Sequence, residues 1–183
     1  PFDIIAHLMV GSEGTLALLS SITMTTGEIQ PYSASALLLF PTTKAACEAI
    51  TEMKQTGLLS AAEFFDRKAM RTVENDFPEL KELPDDASAV LVKTEASSAE
   101  ELDQKNNTLL ATLRQFTLAQ EATFTTDATL VGKYWAMRSG IFPAVGGTRE
   151  IGTTCLIEDI AFPIEFLSEA TLDLQQLFKD YNY

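Results

Sequence analysis

Ala36-Leu37-Leu38-Leu39-Phe40 is an unbroken apolar run that stops at Pro41. A run of this length suits a buried strand, and the proline ends it. Thr42 or Thr43 can cap the helix that follows. Its apolar positions Ala46, Ala49, Ile50 and Met53 fall at helical spacing, and Gly57 supplies the stop. Ala89–Glu95 reads as a further strand. After it, Ser97-Ser98 with Glu100-Glu101 offers two overlapping capping boxes for a helix with Leu102, Leu109, Leu113 and Phe116 on one face.

The same alternation runs through the remainder. Strands are expected at Ala61–Phe65, at roughly Ala119–Thr126 and at Thr153–Ile157. Helices are expected from Arg67 to about Glu74, around Ala128–Ser139 before a turn at Gly146-Gly147, and after Pro163 with Leu167, Ala170, Leu174, Leu177, Phe178 and Tyr181 on a buried stripe. Asn75–Ser88, with two prolines and five acidic residues, reads as a surface loop. Together these predict an α+β fold, a ferredoxin-like sheet with helices packed on one face.

Residues 1–30 differ from this pattern. They read as a short helix from Asp3 to Met9, a glycine-rich loop and a Thr-rich strand, Ser21–Thr26, before Gly27 and Pro31 mark a boundary. The chain therefore divides into residues 1–30 and residues 31–183. Its start at Pro1, without a methionine and directly into an apolar segment, suggests an interior piece of a longer polypeptide.

Charge narrows the function. Acidic residues outnumber basic ones 26 to 13, a formal charge of -13, and such a field repels a phosphate backbone. No apolar run approaches the roughly 18 residues that span a bilayer, and no basic n-region opens the chain. Cys47 and Cys155 form no metal pattern, and two reduced thiols suit a cytoplasmic protein.

Four segments carry candidate chemistry. Gly11-Ser12-Glu13-Gly14-Thr15-Leu16 places two glycines three apart, which permits positive φ and a close approach of backbone to ligand. Alone it is no more specific than a tight turn, and it is neither a P-loop nor a dinucleotide fingerprint. Ala62-Glu63-Phe64-Phe65-Asp66-Arg67-Lys68-Ala69 joins a strand to a helix that Asp66 can cap. Tyr134-Trp135-Ala136-Met137-Arg138 sets an indole and a guanidinium on one helical face, and an arginine fork can grip a carboxylate through two hydrogen bonds. Gly140–Arg149 is followed by Gly152–Pro163, which contains Glu158-Asp159. His7, the sole histidine, suits a structural role.

In this order, and with the flanks His7–Ala17 and Ile22-Thr23-Met24, these segments resemble the FAD-linked oxidases, relatives of D-lactate dehydrogenase, glycolate oxidase subunits and D-2-hydroxyglutarate dehydrogenase. The resemblance implies FAD as cofactor, with Gly11, Ser12, Gly14 and Thr15 beside it. Trp135 and Arg138 match the family's Trp-x-x-Arg motif, which implies that Arg138 holds a substrate carboxylate, with Arg149 as a second partner. The Gly140–Pro163 stretch resembles a subgroup fused to an iron–sulfur module, so iron–sulfur clusters are expected in the parent protein. Where the D-2-hydroxyglutarate branch carries a lysine this chain has Ile157, so that contact does not transfer.

The implied activity is oxidation of a D-2-hydroxy acid, D-lactate-like, with hydride transfer to FAD and an electron acceptor left open. The family's catalytic and metal-binding histidines have no counterpart here, so the isolated chain is expected to be inactive. Two readings stand beside it: a non-catalytic α+β binding module, and a flavin oxidase of the same fold acting on an aryl alcohol or an ether lipid precursor.

Overall fold

The computed structural model describes residues 2–153 and 162–182. Its elements are α1 (Phe2–Met9), β1 (Tyr32–Phe40), α2 (Thr43–Gln55), β2 (Ala61–Phe65), α3 (Arg67–Arg71), β3 (Ser88–Ala96), α4 (Ala99–Leu113), α5 (Ala128–Thr148) and α6 (Leu167–Asp180). Short 3₁₀ turns occupy Pro78–Leu80 and Ile164–Phe166.

The three strands form one antiparallel sheet in the order β1-β3-β2. Register follows the apolar pattern. Leu38 and Phe64 both pair with Val90 in β3, and Leu37 and Glu63 both pair with Leu91. Side chains alternate between faces. Ala36, Leu38, Phe40, Val90 and Val92 therefore meet α2 and α4, joined by Ala46, Ala49, Ile50, Met53, Leu109 and Leu113. The α+β class and this layer of helices are those the pattern predicts.

The opposite face is covered as well. Leu37, Leu39, Phe65, Ala89 and Leu91 are buried beneath Met70, Val73, Phe77, Leu80 and Met137, with Trp135, Tyr134 and Ile141 packed alongside. The cover comes from α3, the 73–87 loop and α5, so the helices are not confined to one face. Every residue from Ala34 to Phe40 is buried, which accounts for a strand with no polar alternation.

Four helices begin on side-chain caps, the first three of them at residues the sequence offers for that role. Thr42 accepts from the Ala45 N–H at 3.2 Å, Asp66 from Ala69 at 2.7 Å, Ser98 from Glu101 at 3.2 Å and Asp127 from Leu130 at 2.7 Å. At α4 the cap is reciprocal. Glu101 Oε2 accepts from the Ser97 N–H at 2.9 Å and the Ser97 hydroxyl at 2.6 Å, while Lys105 lies 2.8 Å from Oε1. The Lys105 bond, then those from Ser97, hold the Glu101 carboxyl down at about 2.

Several expectations change. The segment near Ala119–Thr126 is not a fourth strand. It touches β1 at two points, the Ala119 N–H to Leu39 O at 2.8 Å and the reciprocal Ser35–Thr125 bonds at 3.0 and 2.8 Å. Six residues separate its contact points and four separate those on β1, so a regular ladder cannot close between them. Ser21–Thr26 carries no strand, since no described segment pairs with it. The turn at Gly146-Gly147 is absent: neither glycine has positive φ, and α5 runs through Pro143 to Thr148. The α6 stripe is only half-buried, with Leu177 and Tyr181 exposed, because among the described elements α6 packs mainly on α2. Of Thr153–Ile157, residues 154–157 lie outside the described residues.

Two measurements follow. Leu38→Ala, at a position with no solvent exposure, should lower unfolding free energy by about 3 kcal/mol in urea. Because folding lowers the Glu101 pKa from 4.5 to about 2, its carboxylate stabilises the fold above the higher value and loses that contribution as pH falls through the lower. NMR titration should find its midpoint near 2, and an ordinary glutamate midpoint would contradict the cap.

Candidate functional site

Along the second sheet face the apolar rows give way to polar ones. Ser35 pairs with Lys93 and Ser33 with Glu95 across β1–β3, while Glu63 stands opposite Leu91 on β2. By the alternation of side chains these groups share the face on which α5 lies. Lys93 Nζ donates to Glu95 Oε1 at 2.5 Å, and this bond outweighs partial burial to hold the Glu95 carboxyl below its ordinary value.

α5 crosses this end and is fixed at several points. The Trp135 indole N–H donates to Ser35 Oγ at 3.1 Å. Met137 is buried against the sheet, and Tyr134 stacks on Phe77 with ring centroids 6.4 Å apart. Burial, then the nearby Glu79 charge, pushes the Tyr134 hydroxyl up. Lys133 sits 4.3 Å over the Phe77 ring. One residue past Met137, Arg138 leaves the helix with half its side chain exposed, and its Nε lies 3.3 Å from Glu63 Oε1. Nη1 and Nη2 make no hydrogen bond among the described residues.

The two arginines of the sequence reading are not brought together. Arg149 is exposed and ends α5 as its C-cap residue. Eleven residues of helix separate it from Arg138, roughly 16 Å along the axis. Glu63, drawn from a different motif, is the residue that meets Arg138. Glu158 and Asp159 lie outside the described residues. Sequence reasoning missed Ser35, one of two serines in β1, and the available signal was that a hydroxyl buried there needs a partner.

The Gly11–Thr15 loop follows the end of α1. Gly11, Glu13 and Gly14 have φ of 79°, 47° and 78°. The Ser12 N–H donates to Met9 O at 3.1 Å, and Thr15 donates to Ser12 O through both its N–H (2.8 Å) and its hydroxyl (2.5 Å). The N–H groups of Glu13 and Gly14 find no partner among the described residues. A Cβ at either glycine would meet nothing within 4 Å. Free backbone donors, a serine hydroxyl and open space fit one acceptor-bearing edge of a flavin. None of residues 2–30 is buried. His7 bonds Asp3 O within α1 at 2.8 Å.

Among the described residues no group of three or more His, Cys, Asp or Glu side chains could hold a metal ion, and no helix is long and apolar enough to cross a membrane. Cys47 is buried, which pushes its thiol up despite a bond from Thr171.

Residues 29–183 match the FAD linked oxidases, C-terminal domain, and the chain belongs to that family. It is 26% identical over 178 residues to the mitochondrial D-2-hydroxyglutarate dehydrogenase of Rattus norvegicus, covering 92% of this chain and 31% of that protein. It is 23% identical over 181 residues to a putative mitochondrial D-lactate dehydrogenase of Schizosaccharomyces pombe, covering 97% and 34%. The chain thus spans about a third of the length of these relatives. In fold it is similar to an alkyldihydroxyacetonephosphate synthase, with a TM-score of 0.59 over 94% of this chain and 36% of that one, at 16% identity.

Trp135→Phe and Ser35→Ala each remove the bond that ties α5 to β1, the serine change alone costing about 1 kcal/mol. The double variant should be little less stable than Trp135→Phe alone. Additive losses in chemical denaturation would show that the bond does not hold the helix.

Proposed function

We propose that this chain is the substrate-side part of a flavin-dependent oxidoreductase that oxidises a D-2-hydroxy acid to the 2-oxo acid. Arg138 carries the reading. A helix fixed by Trp135 and Met137 presents a guanidinium whose Nη1 and Nη2 make no hydrogen bond among the described residues. Those two nitrogens match the spacing of carboxylate oxygens.

The reaction removes a hydride from the α-carbon and a proton from the hydroxyl. FAD, when bound, supplies the hydride acceptor. Arg138 neutralises the carboxylate and fixes the direction of the α-carbon bond, which is worth most when the guanidinium is already in place. Trp135 walls the acid on the same face of α5. Arg149, three turns further along α5, stands in this reading as the second carboxylate partner, toward the outer end of the acid. In this reading residues 1–30 end a FAD-binding domain, with Gly11, Ser12, Gly14 and Thr15 at one flavin edge, and residues 31–183 form the substrate domain. The proton acceptor in this reading is a histidine from another part of the protein.

The similarity to two 2-hydroxy acid dehydrogenases supports the substrate class, without choosing the acid. An iron–sulfur partner module rests on the Gly140–Pro163 resemblance, and a cytoplasmic location rests on the chain's two thiols.

Arg138→Ala in the FAD-loaded full-length protein should raise KM for a D-2-hydroxy acid about 10- to 100-fold, the range expected for losing a charge-assisted pair. The corresponding uncharged hydroxy amide should be turned over as before. An unchanged KM for the acid would remove Arg138 from the carboxylate site.

A further inference from the structure

We infer that Glu63 is a positioning residue for Arg138: it grips the inner corner of the guanidinium and leaves the outer fork aimed at the ligand. The inference rests on the carboxylate reading of Arg138. The ion pair is made at Nε, 3.3 Å from Glu63 Oε1, and the terminal nitrogens make no hydrogen bond among the described residues. A carboxylate across Nη1 and Nη2 would have blocked the fork, whereas one at Nε leaves two parallel donors for a second carboxylate.

Both backbones in the pair are held by independent means. Glu63 lies in β2, opposite Leu91 of the central strand. Two residues later Phe65 is buried, and Asp66 then closes the strand by capping α3 through the Ala69 N–H at 2.7 Å. Arg138 follows the buried Met137 and lies one helical turn after Trp135, whose indole is tied to β1. The helix therefore bridges the sheet, hydrogen-bonded to β1 at Ser35 and ion-paired to β2 at Glu63 across β3. What remains loose is the long arginine side chain, whose ordering on binding carries an entropic cost. Glu63 removes much of that freedom beforehand.

The ion pair has little other use. Its side chains are 52% and 32% exposed, and pairs in that setting contribute little to stability. The neighbouring charges are spoken for, since Lys93 on the same face is bonded to Glu95. Glu63 is thus the carboxylate that the sheet presents to Arg138.

The test compares Glu63→Ala with Glu63→Gln in the FAD-loaded full-length protein. Glutamine keeps an acceptor oxygen for the Nε–H, and alanine does not. Glu63→Ala should raise KM for the 2-hydroxy acid about 5-fold, a loss in the range for freeing one flexible side chain, with kcat nearly unchanged. Glu63→Gln should restore KM to within about 2-fold of the parent. Calorimetric titration with oxalate, an unreactive carboxylate, should give the same ranking of Kd, and flavin content should not differ. Equal KM and Kd for Glu63→Ala and the parent would overturn the assignment. So would tighter binding by both variants, because Glu63 would then compete with the ligand. A Glu63→Gln variant as impaired as Glu63→Ala would overturn it too. Arg138→Ala separates the two levels: if it leaves KM unchanged the carboxylate reading itself fails, and if it raises KM while Glu63→Ala does not, only the role of Glu63 fails.

Discussion

Leu37 and Leu39 point away from the helices that bury Leu38 and Phe40, so β1 can exist as a strand only if a second layer covers its other face. Leaving two leucines wet would forfeit about 1.5–3 kcal/mol each. That layer is assembled from α3, the loop containing Phe77 and Leu80, and the first half of α5. The site is a by-product of this cover. α5 is placed by what it shields, with Met137 inward and Trp135 bonded to the one buried hydroxyl of that face. Arg138 emerges where the apolar rows end.

The polar end of the face is arranged so that its charges answer one another locally. Lys93 is matched to Glu95 and Arg138 to Glu63, while Arg67, buried below α3, reaches Glu74 at 3.5 Å and Lys81 O at 3.4 Å. The exposed pairs add little to stability at ordinary salt. Their consequence is geometric: each fixes where a long side chain points. A fold with a net charge of -13 repels acids at long range, so a carboxylate ligand depends on short-range, pre-aimed cations rather than on steering.

The parts of the structure governed by local chemistry were legible in the sequence. Thr42, Asp66 and Ser98 cap the helices they were expected to cap, because an oxygen placed before a run of unpaired N–H groups has a defined task. Strands β1, β2 and β3 were found from apolar runs. What failed depended on count and context. The 119–125 segment has the composition of a strand, yet two surplus residues between its contact points prevent pairing. Gly146 and Gly147 were read as a turn but remain helical, since glycine permits a break without requiring one. At the site, Glu63 and Arg138 were each visible in separate motifs. Their meeting was not, because it depends on the sheet order β1-β3-β2 and on the direction in which α5 crosses it.

Burial is uneven along the chain. From Ala34 onward the chain makes a core, whereas none of residues 2–30 is buried, and Phe2, Ile4, Leu18 and Ile29 are 89%, 72%, 96% and 91% exposed. Side chains of this size stabilise a fold only when covered, and both faces of the sheet are already occupied by other segments. The Gly11–Thr15 loop is therefore positioned by contacts other than those that position Arg138. If the loop meets a flavin and Arg138 meets a carboxylate, the distance between hydride acceptor and α-carbon is set by whatever covers α1. Core substitutions around Leu38 and substitutions in α1 then act on different quantities, the first on the stability of the substrate domain and the second on the approach of the two reactants.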